Sequence, residues 1–217
     1  MRTLRIVLLL CILRVALAAS STPAQAVTSD QLASQVEEKY RSLKTLSMDF
    51  IKITRSDIFE TETEIEGKMI FKNPAKFRIE TNQETVVCDG EFVWTYSVEN
   101  QQVIKNLVDR SESLFRPNQY LSDFRSGYVP RLEGEEKLDR TSCFRLLLSS
   151  KEEDAFIRRM TIWVDKKDHL ARRLQYEDSN DNQVTLIFRH IKTNPKLKDS
   201  EFVFQTPPGV EELDLSE

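Results

Sequence analysis

The chain has 217 residues, with 31 Lys and Arg against 35 Asp and Glu and a formal net charge of −4. An acidic balance argues against nucleic acid and against permanent adhesion to anionic lipid, since both favour clustered Lys and Arg. With five glycines in all there is no glycine-rich loop to cradle phosphate, and the length suits one domain with a substantial core.

The first residues read as a secretory leader. MRTLR carries two arginines, IVLLLCIL is apolar, and small residues run to two A-x-A sites, Ala16-Leu17-Ala18 and Ala24-Gln25-Ala26. The layout predicts a signal peptide over 1–26, with cleavage after Ala26 or alternatively Ala18, and a single domain over 27–217. The uninterrupted apolar run is too short to span a bilayer. Cys11 follows three leucines, where a bacterial lipoprotein signal requires a small residue. Residues 1–26 hold Arg2, Arg5 and Arg14 and no acidic residue, so the remainder carries 28 basic against 35 acidic residues, a net charge of −7. Cys88 and Cys143 also remain. In an oxidising compartment they form one disulfide or persist as two semi-buried thiols, and the sequence leaves both open.

A helix opens the domain. Leu32, Val36, Tyr40 and Leu43 share one face at helical spacing, with Glu37, Glu38 and Arg41 expected elsewhere. Thr28 and Gln31 have the spacing of a capping box. After Leu46 the period becomes two. SMDFIKIT reads as a strand, and EIEGKMIFK puts Ile65, Gly67, Met69 and Phe71 on one face. Beyond Pro74, KFRIE sets Phe77 and Ile79 opposite Lys76, Arg78 and Glu80. TVVC and EFVWTYS flank Asp89-Gly90, a strong hairpin signal, and alternation puts Phe92, Trp94 and Tyr96 on one face. QQVIKNL follows. Residues 111–125 break the rhythm with Pro117 and the apolar Leu114, Phe115, Tyr120, Leu121 and Phe124, and read as one or two short helices. CFRLLLS, FIRRMTIWVD, HLARRLQYED and QVTLIFRHI are further strands, and EFVFQ a final short one. The expected fold is α+β and mostly β. About ten antiparallel strands form a curved, half-barrel sheet, with helices covering its concave face.

Chemistry is sparse. His169 lies beside a turn and His190 on a strand, neither with metal-ligand spacing, and no nucleophile elbow, phosphate loop or zinc motif occurs. No catalytic residue, metal site or cofactor is expected. The aromatic inventory fits either a filled core or the wall of a cavity, and periodicity does not separate the two.

Four segments in order resemble the periplasmic outer-membrane lipoprotein carrier protein family, the LolA-like carriers. They are the leading helix into SMDFIKIT, then GKMIFKNPAKFRIE, CDGEFVWTYSVENQQV, and EFVFQTPPGVEEL, together spanning about residues 28–213. The resemblance implies an open half-barrel whose helices form a lid over a hydrophobic concavity. It implies a monomeric periplasmic carrier that binds lipoprotein acyl chains. Loading would come from an inner-membrane lipoprotein-releasing transporter and unloading would go to an outer-membrane acceptor, with only transient membrane contact. A lipid- or lipoprotein-sensing regulator on the same scaffold is the alternative, and a secreted hydrolase acting on envelope lipid a third reading. Lipid contact would fall to Phe50, Phe71, Phe77, Ile79, Trp94 and Tyr96 on the sheet, and to Leu114, Phe115, Leu121 and Phe124 in the lid. One position departs from the pattern. Many family members place an arginine before the proline, implicated in holding the lid, and here that residue is Asn73.

Overall fold

Helix α1 (Ser29–Ser42) begins at the capping box its sequence spells. Gln31 N–H donates to Thr28 Oγ1 at 3.2 Å, and Thr28 N–H donates to Gln31 Oε1 at 3.1 Å. The structure, a computed structural model, describes residues 27–56, 58–108, 121–153, 155, 157–178 and 181–216. The expected leader and its cleavage sites lie outside the described residues, as do Leu114 and Phe115.

Twelve strands form one curved sheet. They are β1 (Thr45–Ser56), β2 (Thr61–Lys72), β3 (Lys76–Thr81), β4 (Glu84–Cys88), β5 (Phe92–Ser97), β6 (Gln102–Leu107), β7 (Tyr128–Leu138), β8 (Thr141–Ser150), β9 (Arg159–Asp165), β10 (Ala171–Glu177), β11 (Gln183–Thr193) and β12 (Glu211–Asp214). Across the sheet the order is β12-β6-β5-β4-β3-β2-β1-β11-β10-β9-β8-β7. Neighbours are antiparallel, except that β12 runs parallel to β6.

Register fixes which residues face inward, because directly paired residues share a face. One inward row runs Val93–Cys88–Phe77–Phe71–Leu46, and the next Thr95–Val86–Ile79–Met69–Met48. On the other flank Phe144, Leu146, Ile162, Leu174 and Leu186 continue the same buried core, and Leu32, Val36 and Tyr40 of α1 close it from above. β6 and β7 lie near opposite edges of the sheet. The described end of the connection between them, Leu121–Ser122 and helix α2 (Phe124–Gly127), sets Leu121 and Phe124 into the core.

The expected fold class stands, with two corrections to the elements. Strand β7 is not among the strands that alternation predicts, because YVPRLEGEEKL carries Pro130, Gly134 and five charges. As an edge strand it tolerates a proline, and its ladder shifts register between Leu132 and Gly134. EFVFQ is not a strand. Asp199–Phe202 forms a 3-10 turn, and the following residues run irregularly to β12. Phe202 is fully buried there, so it serves as an anchor where a ladder residue was expected.

Candidate functional site

The concave face has a closed end and an open one. At the closed end, Tyr40, Leu43, Leu46, Phe71, Asn73 and Leu121 surround a gap of about 20 Å³. That is room for roughly one water molecule. Phe71, Phe77, Leu121 and Phe124 are all buried here, so these four expected site residues belong to one packed interior beneath α1 and α2.

What holds α2 down is a carboxylate. Glu37 is 1% exposed. Its Oε1 accepts the Arg125 backbone N–H at 2.8 Å, and its Oε2 accepts Arg125 Nε at 2.7 Å and Arg41 Nη2 at 3.2 Å. Lys151 Nζ donates to the Arg125 and Ser126 carbonyls at 2.8 and 3.1 Å, fastening the C-terminus of α2 to the end of β8. Glu37 was expected away from the apolar face, and that is corrected. It sits one residue after Val36 and three before Tyr40, on the buried stripe with Ala33. The signal was legible as a carboxylate inside an i, i+3, i+4, i+7 pattern.

Asn73 turns to the C-terminal end of α1. Its Nδ2 donates to the Tyr40 carbonyl at 3.0 Å and to that of Leu43, satisfying helix C-terminal acceptors. Asn73→Ala is expected to lower stability by about 1–2 kcal/mol, measured by chemical denaturation.

At the open end, a cleft of about 550 Å³ is lined by Phe50, Ile65, Met69, Ile79, Tyr176 and Leu186, with a polar rim that includes Lys52, Gln83 and Glu84. Ligand clefts typically measure roughly 300–1,000 Å³ with apolar walls. Phe50 and Ile79 therefore line the cleft, together with Ile65 and Met69, which alternation puts on the inner face of β2, and with Tyr176 and Leu186, which the sequence did not single out. The Phe50 ring rests where a side chain at position 67 would stand. A Cβ built on Gly67 lies 2.4 Å from Phe50 Cζ and 2.6 Å from the Glu80 carbonyl oxygen.

Trp94 and Tyr96 are not part of this surface. Trp94 pairs with Val87, which pairs with Arg78, on the face opposite Val93 and Phe77. The Trp94 ring stacks on Phe204 of the C-terminal segment at 6.3 Å between centroids, and the Tyr96 hydroxyl accepts from Gln101 Nε2 at 3.1 Å. The expectation that the Phe92–Trp94–Tyr96 row walls the concavity is thus corrected. The row is the convex seat of the chain running to β12. Leu114 and Phe115 lie outside the described residues.

Cys88 and Cys143 are both buried. Cys88 faces the concave core, whereas Cys143 lies on the convex side, out of register with Phe144, Leu146 and Leu148, and burial pushes its thiol up to about 11. The two cysteines therefore face opposite sides of the sheet and are not joined to one another. Mass measurement after alkylation is expected to show both reactive only once the protein is denatured. Burial likewise raises the Tyr40 phenol, whose oxygen accepts the Ala171 N–H at 3.0 Å. Among the described residues, no group of three or more His, Cys, Asp or Glu is placed to hold a metal ion, and no helix is long and apolar enough to cross a membrane.

Residues 41–205 match the family described as "Outer membrane lipoprotein carrier protein LolA". An uncharacterized protein of Methanocaldococcus jannaschii is 27% identical over 192 residues, covering 85% of this chain, which spans 53% of that protein's length. An outer-membrane lipoprotein carrier protein of Histophilus somni is 27% identical over 188 residues, covering 85% of this chain and 88% of its own. Among solved structures, an uncharacterized conserved protein from Thermus thermophilus superposes with a TM-score of 0.58 at 15% identity, covering 85% of this chain and 98% of the other. That likeness extends to the fold.

Proposed function

As the chain belongs to the outer membrane lipoprotein carrier protein LolA family, we propose that it is a non-catalytic periplasmic carrier that shields lipoprotein acyl chains from water between the inner and outer membranes. The leader over 1–26 directs export. An inner-membrane releasing transporter loads the carrier and an outer-membrane acceptor empties it. The observation that supports this reading most is that Phe50, Met69 and Ile79, which line the cleft, belong to the same buried cluster as Leu121 and Phe124.

The energetics are of the right size. Opening the lid exposes Leu121 and Phe124, at about 1.5–3 kcal/mol each, and breaks the Glu37 contacts, at about 3 kcal/mol. An acyl chain gains about 0.8 kcal/mol per buried CH2, so roughly ten methylenes offset the opening. A long acyl chain enters from the cleft and displaces Leu121 and Phe124, and the same two side chains refill the space on release. Affinity is expected to rise steeply only beyond about ten carbons in a fatty-acid series, read by calorimetry. A smooth rise from the shortest chain would contradict a lid that must open.

A photo-crosslinking residue at Ile65 is expected to capture lipoprotein in periplasm, while one at Thr85, paired with Tyr96 on the convex face, captures none. Equal capture at both positions, or none at Ile65, would count against the cleft.

A further inference from the structure

The sheet contains a gap beside the cleft. β2 pairs with β1 over its full length, from Lys72 with Thr45 to Thr61 with Ser56. On its other side it pairs with β3 only from Lys72 to Gly67, where Thr81 ends the ladder. Over Thr61–Glu66, alternate residues therefore turn backbone N–H and C=O groups toward a side where no described strand lies. Among the described residues none of these groups has a backbone partner outside β1. The gap opens onto both faces. Ile65 and Thr81 border the apolar cleft, and Glu66, Gly67 and Thr81 border a second depression on the convex side.

Exposed strand edges invite pairing, and proteins usually blunt them with proline, lysine or a bulge. The outer edge strand β7 has Pro130 and a register shift beside Gly134. The six residues Thr-Glu-Thr-Glu-Ile-Glu at the start of β2 have no proline, lysine or register shift, and only glutamates guard this edge. Glu62, Glu64 and Glu66 share one face; Glu62 pairs with Arg55 at 2.6 Å, and the other two carry no ion pair among the described residues.

We propose that this edge binds the peptide segment that follows the acylated N-terminal residue of a lipoprotein, as an added strand antiparallel to β2. The inference rests on the carrier reading and specifies how the cargo's polypeptide leaves the site. With the acyl chains in the cleft against Ile65, the attached chain exits through the gap, continues the line of β3, and spans about 20 Å along β2. Main-chain hydrogen bonds supply affinity for any sequence, while Glu64 and Glu66 favour lysine or arginine at alternate positions.

The test is amide hydrogen exchange on the mature chain with a tripalmitoyl-cysteinyl probe bearing a Ser-Lys-Lys-Lys-Lys tail. Binding is expected to slow exchange over residues 61–66. N-methylating alternate tail amides, which removes edge hydrogen bonds without touching the protein, is expected to weaken binding about tenfold. Glu64→Lys with Glu66→Lys is expected to weaken the lysine probe and to strengthen a probe with a glutamate tail. If both tails and the N-methylated probe bind equally, with residues 61–66 unprotected, the added strand is refuted while the carrier reading stands. If no acylated probe binds, the carrier reading falls, and this inference with it. Protection of the edge without probe, dependent on protein concentration, would assign it to a second copy of the chain and overturn the proposal.

Discussion

Glu37→Ala is expected to lower stability by about 3 kcal/mol and to shift acyl binding toward shorter chains. The carboxylate is 2% exposed at its side chain, whereas its partners Arg125 and Arg41 are 37% and 51% exposed. Removing one member of a fully buried pair costs roughly 3–5 kcal/mol, and the low end applies because water reaches both guanidinium groups once the carboxylate is gone. The Arg125 backbone N–H also loses its acceptor, and α2 loses its tie to α1. Arg125→Ala removes one contact of three and leaves the N–H bonded, so its effect is expected to be about half as large. Glu37→Gln keeps an acceptor for that N–H and falls between the two. Chemical denaturation ranks the three variants, and binding of a hydrophobic dye reports lid opening directly. A Glu37→Ala loss no larger than that of Arg125→Ala would mean that packing alone holds the lid.

Gly67→Ala is expected to cost about 3 kcal/mol, at the upper end of overpacking effects. For a chain of this length that is a fall in Tm of about 10 °C. A new Cβ would stand 2.4 Å from the Phe50 ring and 2.6 Å from the Glu80 carbonyl oxygen. The ring can swing away, but the carbonyl is held by the β2–β3 ladder. Phe50→Leu added to Gly67→Ala is therefore expected to restore only part of the stability, in a thermal melt. Full restoration would show that the ring, and not the close approach of β2 to β3, requires glycine. Since Phe50 also lines the cleft, the single variant is expected to weaken acyl binding more than its stability loss explains.

Much of the architecture follows from local pattern. Thr28 and Gln31 declare the start of α1. The alternation of Ile65, Gly67, Met69 and Phe71 declares the inner face of β2, and Asp89, whose carboxylate accepts the Glu91 and Phe92 N–H groups, makes the turn before β5. Alternation shows that Phe92, Trp94 and Tyr96 share a face, but not which face is inside. The sheet is covered on both sides here. Val93 packs inward against Cys88, and the C-terminal chain reaches across from Phe202 to cover Trp94. That contact joins residues more than a hundred apart in sequence, beyond the reach of any window. For the same reason the aromatic residues most prominent in the sequence divide between two surfaces. Tyr176 and Leu186, unremarked on β10 and β11, complete the cleft because β11 returns to pair with β1. Glu37 was legible in principle, since a helix whose apolar stripe carries a carboxylate must supply it with partners.

Native mass spectrometry of the mature protein purified from periplasm bears most directly on whether acyl chains occupy this interior. The expected spectrum contains a one-to-one complex with a triacylated lipoprotein, depleted in a variant that fills the cleft, such as Met69→Trp. A spectrum of bare protein alone, from cells in which lipoproteins are in transit, would contradict it.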